Sequence, residues 1–136
     1  ILALIEKQKL VSEGAGATAV AAAMYGHLPI DGKRVVCLVS GGNIDVNILN
    51  RVITRGLAQN GRICSFELEV DDKPGALSRV LQIVADNGGN ILSINHERVS
   101  GARQVNSCVI HLELETLNAD HIGRIREAFL QAGYRL

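Results

Sequence analysis

Two short stretches of this sequence bring together residue types that could do chemistry. The first is Asp72-Lys73-Pro74-Gly75, which lies between a candidate strand and a candidate helix. Pro74 suits the first helical turn, where its missing N–H costs nothing. Gly75 lets another backbone or a ligand approach closely. The free N–H groups of such a turn favour a carboxylate, and Asp72 supplies a counter-charge for an ammonium group. Asn90, opening the next candidate strand, offers a donor and an acceptor. Together these groups could read both ends of an amino acid, although a plain strand-to-helix turn would use the same residues. The second stretch is Ser40-Gly41-Gly42-Asn43, for which a tight turn with an Asn or Ser helix cap is the simple alternative.

Metal chemistry is not expected. A hairpin turn centred on Gly101-Ala102, within Ser100-Gly101-Ala102-Arg103, would set His111 opposite Leu92 and His96 opposite Ser107. His96 and Leu92 are then about 13 Å apart along their strand. Zinc gathers its ligands about 2 Å from one centre, so a two-histidine site is not expected on that register. His27 and His121 are isolated, and the histidines are expected at exposed or cross-strand positions. Cys37, Cys64 and Cys108 are odd in number and lack a C-x-x-C pair. Buried reduced thiols in a cytoplasmic protein are the expectation.

The elements that must position these residues fall into two groups meeting near Asn60-Gly61, which gives expected domains of 1–60 and 61–136. In the first, Ala17 to Tyr25 lacks a helix breaker, and Gly26 offers a stop. Arg34-Val35-Val36-Cys37-Leu38-Val39 contains five consecutive apolar residues, which predicts a strand covered on both faces, as in a parallel sheet. A helix with Ile44, Ile48, Leu49 and Val52 along one side follows. Helix, strand, glycine loop and helix look like the last unit of a larger doubly wound sheet.

The second group alternates. Cys64 to Val70 places apolar residues at even positions, predicting a half-buried strand. Leu77, Val80, Leu81 and Val84 then share one helical face until Gly88-Gly89. Ile91 to Val99 predicts a strand, and Cys108, Ile110, Leu112 and Leu114 alternate along another. Asn118 is placed to cap a helix using Ile122, Ile125 and Phe129, closed by Gly133. Tyr134-Arg135-Leu136 would begin a last strand. The order β-α-β-β-α-β implies an α+β, ferredoxin-like domain with two helices on one face of an antiparallel sheet.

Bulk properties narrow the function classes. The 136 residues are 47% hydrophobic and 21% charged, with 14 basic and 14 acidic side chains and no net charge. A nucleic-acid surface or polybasic membrane patch would leave a positive excess. No apolar run approaches the roughly 20 residues that span a bilayer. The sequence opens on Ile1 and lacks a signal-peptide pattern, and more chain is expected upstream.

Asp72-Lys73-Pro74-Gly75-Ala76-Leu77 followed by Gly89-Asn90-Ile91 resembles the D-x-P-G-x-L…N-I pattern of ACT domains. The resemblance covers Arg62 to Leu136. It implies small effectors, often amino acids, bound where two domains pack together, with Asp72, Pro74, Gly75, Ala76, Asn90 and Ile91 as contacts. Ser12-Glu13-Gly14-Ala15-Gly16-Ala17 and Val39-Ser40-Gly41-Gly42-Asn43 resemble the end of the catalytic domain of threonine ammonia-lyases, pyridoxal-phosphate enzymes that in some cases carry a C-terminal ACT domain. This resemblance implies that, in the full-length parent, Ser40 bonds the cofactor's pyridine nitrogen, while Glu13, Gly14, Gly41 and Gly42 line its pocket. A neutral hydroxyl there suits elimination better than transamination. The parent reaction would convert threonine to 2-oxobutanoate and ammonia, with isoleucine or valine as the effector class and a homo-oligomer as the assembly. Lys7, Lys9, Lys33 and Lys73 lack the active-site context of that family. The Schiff-base lysine and the phosphate loop are therefore expected upstream of Ile1, with no catalytic residue in this chain and no cofactor bound by it alone. The competing expectation is an ACT-type module that oligomerises without a ligand.

Overall fold

The computed structural model describes residues 1–98 and 106–136 and divides into two compact units, Ile1–Gly56 and Leu57–Leu136. The first unit opens with α1 (Leu2–Gln8) and α2 (Thr18–Tyr25), the latter ending at Gly26 as its sequence predicts. Between them, Ser12 is fully buried and Glu13 N–H donates to the Gly41 carbonyl at 3.1 Å. A long helix, α3 (Val46–Gln59), follows. Its N-terminal cap is Asp45, whose carboxylate accepts from Asn47 N and Ile48 N at 2.8 and 3.2 Å. Neither Ser40 nor Asn43 performs that role.

One expectation fails in this unit. Arg34 to Val39 forms no strand, and Val36 and Leu38 are 96% and 79% exposed. An apolar run becomes a strand only when a neighbour completes its backbone ladder. Among the described residues of this unit no strand is present to do so. Cys37 is accordingly half-buried rather than part of a core.

The second unit contains β1 (Ile63–Asp71), α4 (Ala76–Asp86), β2 (Asn90–Glu97), β3 (Ser107–Glu115) and α5 (Ala119–Gln131). The strands form an antiparallel sheet in the order β1-β3-β2. Phe66 faces Leu112, Leu68 faces Ile110, and Val70 faces Cys108 across the central ladder. These alternating side chains meet Ala76, Val80 and Val84 of α4 and Ile125 and Phe129 of α5 in one core. Phe129 lies edge-on to both Phe66 and Tyr134, with ring centroids 5.4 and 6.0 Å away. The α+β ferredoxin-like arrangement is present with three strands. Tyr134 to Leu136 does not form the anticipated last strand, because Gly133 turns left-handed (φ 85°) and directs Tyr134 onto Phe129.

Helix ends follow their sequence signals. Gly88 (φ 74°) terminates α4, and the Asn118 side chain accepts from His121 N at 2.9 Å to start α5. His121 departs from expectation, being 1% exposed. Its Nδ1 accepts from Leu117 N–H at 3.1 Å, so the ring proton sits on Nε2 and points at the Asn87 carbonyl, 2.7 Å away. The ring thereby ties the start of α5 to the end of α4.

The register of β2 on β3 also differs. Asn95 faces His111 and His96 faces Ile110, with an irregularity around Leu92 between Ile91 and Ser93. The turn expected at Ser100-Gly101-Ala102-Arg103 and the end of the strand at Val99 lie outside the described residues.

Candidate functional site

The loop between β1 and α4 is shaped by its proline-glycine pair. Ala76 N–H donates to the Lys73 carbonyl at 3.1 Å, and Gly75 sits at φ 85°, ψ −8°. Those are the features of a type II turn, with Pro74 and Gly75 at its two central positions. Pro74 thus lies two residues before the first residue of α4, whereas its sequence suggested the first helical turn. Gly75 is the N-cap of α4, and no side chain occupies the cap. A β-carbon placed on Gly75 would meet nothing within 4 Å, so the space beside the turn is open.

That space is a cleft of about 430 Å³. Asp72, Pro74, Gly75 and Ala76 line it, as do His96, Arg98 and Cys108. Asp72 does not await an ammonium group unpaired, since Arg98 Nε stands 3.2 Å from its Oδ2. Lys73 turns away to Asp71, with Nζ 2.9 Å from Oδ2. This ammonium holds the Asp71 carboxyl below its ordinary range by hydrogen bonding and by charge. Burial pushes the Cys108 thiol above its ordinary value, and the neighbouring Asp72 charge adds to the shift.

Asn90 and Ile91 are elsewhere. Asn90 pairs with Glu115 at the opposite end of the sheet from Asp71, which pairs with Ser107. Eight steps along β3 separate those partners, about 26 Å. Asn90 there donates Nδ2–H to Glu115 Oε2 at 3.2 Å. Within one chain the six expected contacts therefore form two separate groups.

His96, Arg98 and Cys108 were missed as cleft residues. The expected hairpin register put His96 level with Ser107, on the face opposite Cys108. The observed register puts His96 level with Ile110, on the face that Cys108 shares. A turn placed three residues' worth of register differently would have revealed the cluster.

In the first unit, the loops that carry Glu13, Gly14, Ser40, Gly41 and Gly42 do come together. A β-carbon on Gly16 would collide with the Ser40 carbonyl, and one on Gly41 (φ 71°) would lie 2.6 Å from the Glu13 carboxylate. Only glycine permits this contact between the two loops. Ser40 itself is exposed. Lys9 Nζ donates to the Glu6 carbonyl at 2.8 Å.

Residues 65–129 match the ACT domain family. The chain is 43% identical over all of its 136 residues to an L-threonine ammonia-lyase of Thermotoga maritima, covering 34% of that protein. It is 38% identical over 134 residues, 98% of its length, to the L-threonine ammonia-lyase of Geobacter sulfurreducens, covering 33% of it. An L-threonine dehydratase biosynthetic IlvA of Lactococcus lactis is 40% identical over 77 residues, which is 57% of this chain and 18% of that protein. The chain thus spans about a third of the length of these two threonine ammonia-lyases. No helix among the described residues is long and apolar enough to cross a membrane.

Proposed function

Because this chain carries an ACT domain and corresponds to the C-terminal part of threonine ammonia-lyases, we propose that it is the regulatory portion of such an enzyme and senses a small amino acid. The ligand class is isoleucine or valine. Its carboxylate meets the backbone N–H groups that open α4 at Gly75, and its ammonium group replaces Arg98 at Asp72. The observation that carries this reading is the open type II turn, whose uncapped helix start faces the cleft.

The separation of Asn90 and Ile91 from that cleft gives the reading its second half. One copy offers the turn and another offers the start of β2, so the ligand is held between two ACT domains. Binding then biases how the copies dock, and through them the catalytic domain that residues 1–60 would complete. Coupling of this kind is worth about 1–3 kcal/mol. In the full-length protein, Ser40 would face the ring nitrogen of pyridoxal phosphate, and the reaction would be threonine to 2-oxobutanoate and ammonia. We place the protein in the cytoplasm.

Thermal unfolding of the chain with isoleucine, valine, serine, threonine and AMP tests the reading. A ligand at a hundredfold excess over Kd stabilises the native form by about 2.7 kcal/mol. Isoleucine or valine should raise the transition, while Gly75→Leu and Asn90→Ala should each abolish the rise. If none of the ligands moves it at millimolar concentration, the domain is an oligomerisation module without a ligand.

A further inference from the structure

Three potential metal ligands converge in the cleft from three different strands. Asp72 follows β1, His96 lies on β2, and Cys108 lies near the start of β3. One ligand atom of each lies within 4.8 Å of the other two. The ladder explains why: Cys108 is level with Val70, and His96 is level with Ile110, two residues along β3 on the same face. Cys108 is 1% exposed, and its thiol makes a long contact, 3.7 Å, to the Val70 carbonyl. Asp72 and His96 are both exposed, so the cluster has a buried floor and a solvent-accessible rim.

We propose that Asp72, His96 and Cys108 bind a divalent cation of the zinc class. Thiolate, imidazole and carboxylate together favour zinc over magnesium or calcium, which take oxygen ligands alone. Metal–ligand lengths of about 2.0–2.3 Å in a tetrahedron set ligand atoms roughly 3.3–3.8 Å apart. The three groups therefore close by about 1 Å on binding, a movement that the exposed Asp72 and His96 side chains supply by rotation. As the sulfur–metal bond forms, the Cys108 thiol gives its proton to water. Arg98 keeps its place beside Asp72 and orients the ligating carboxylate. The fourth position opens into the cleft and holds water. The cation site does not rest on the amino-acid reading, but the two share Asp72, so a bound cation and the ligand's ammonium group compete for that carboxylate.

Cobalt(II) is the probe. Titrated into the whole chain, it should bind one to one and produce a thiolate-to-cobalt charge-transfer band with the intense d–d absorption of a tetrahedral site. Zinc should displace it. His96→Ala and Asp72→Asn change exposed residues and should each weaken zinc binding about 10–100-fold. Cys108→Ala should remove the charge-transfer band, and Cys64→Ala should leave it. The absence of that band at stoichiometric cobalt overturns the site, as does its survival in Cys108→Ala. Affinities of His96→Ala and Asp72→Asn within about twofold of the parent overturn it too, even if Cys108→Ala does not fold. An isoleucine titration of the metal-free parent and of His96→Ala reads the amino-acid site separately, since Asp72→Asn alters both sites.

Discussion

His121 gives the sharpest test of how the ACT domain is held together. The ring is buried, and both nitrogens are committed, to Leu117 N–H at 3.1 Å and the Asn87 carbonyl at 2.7 Å. His121→Leu keeps an apolar side chain of similar bulk and removes both bonds. Each orphaned backbone group costs about 1–3 kcal/mol when it stays dry. Part of that cost is relieved, because Leu117 is itself exposed and its N–H lies at a helix start where water can enter. The expected loss is therefore about 2–4 kcal/mol. His121→Gln, whose amide offers one donor and one acceptor, should recover part of it. Denaturant unfolding followed by far-ultraviolet circular dichroism measures both variants, provided the slope with denaturant is unchanged. A loss below about 1 kcal/mol for His121→Leu, or no recovery with Gln, would refute the view that the ring staples α4 to α5.

Three further perturbations have defined outcomes. Gly61→Ala meets a left-handed backbone (φ 66°) and sets its β-carbon 2.5 Å from Ala119 N; a loss of about 2 kcal/mol or more in chemical denaturation is expected. Burial raises both the Cys64 and the Cys108 thiols above the ordinary 9.0. Their contribution to stability is complete below 9.0 and declines as pH rises towards the folded-state values, because the unfolded chain ionises first. Unfolding free energy should thus fall as pH rises above about 9, with a shallower fall in the Cys64→Ala, Cys108→Ala double variant. His111→Gln should change stability by less than about 1 kcal/mol in a thermal melt, since its contacts to Glu67 and Glu97, 3.6 and 3.4 Å, lie on the solvated face of the sheet.

What could be read from the residues depended on how local the cause was. Alternation from Cys64 to Val70, the apolar face of α4, the Asn118 cap and the glycine stops are settled within a few neighbouring residues, and each appears in the structure. The burial of His121 escapes local patterning because its second partner, the Asn87 carbonyl, lies 34 residues away at the end of α4. The run from Val35 to Val39 failed for the same kind of reason: its apolarity speaks of a covered strand, but only another strand can provide the ladder.

The cleft joins both kinds of information. Pro74 and Gly75 fix the turn by themselves, which is why the loop was legible. Its other wall depends on the register of β2 on β3, which no local residue pattern fixes. Shifting from His96 opposite Ser107 to His96 opposite Ile110 exchanges the face on which the imidazole lies. That exchange takes His96 from an uninvolved position to the side of Cys108 and Asp72. The same register keeps Asn90 paired with Glu115, a sheet's length from Gly75. A ligand contacting both must therefore bridge two copies, and a chain held monomeric should bind it weakly even with every contact residue intact.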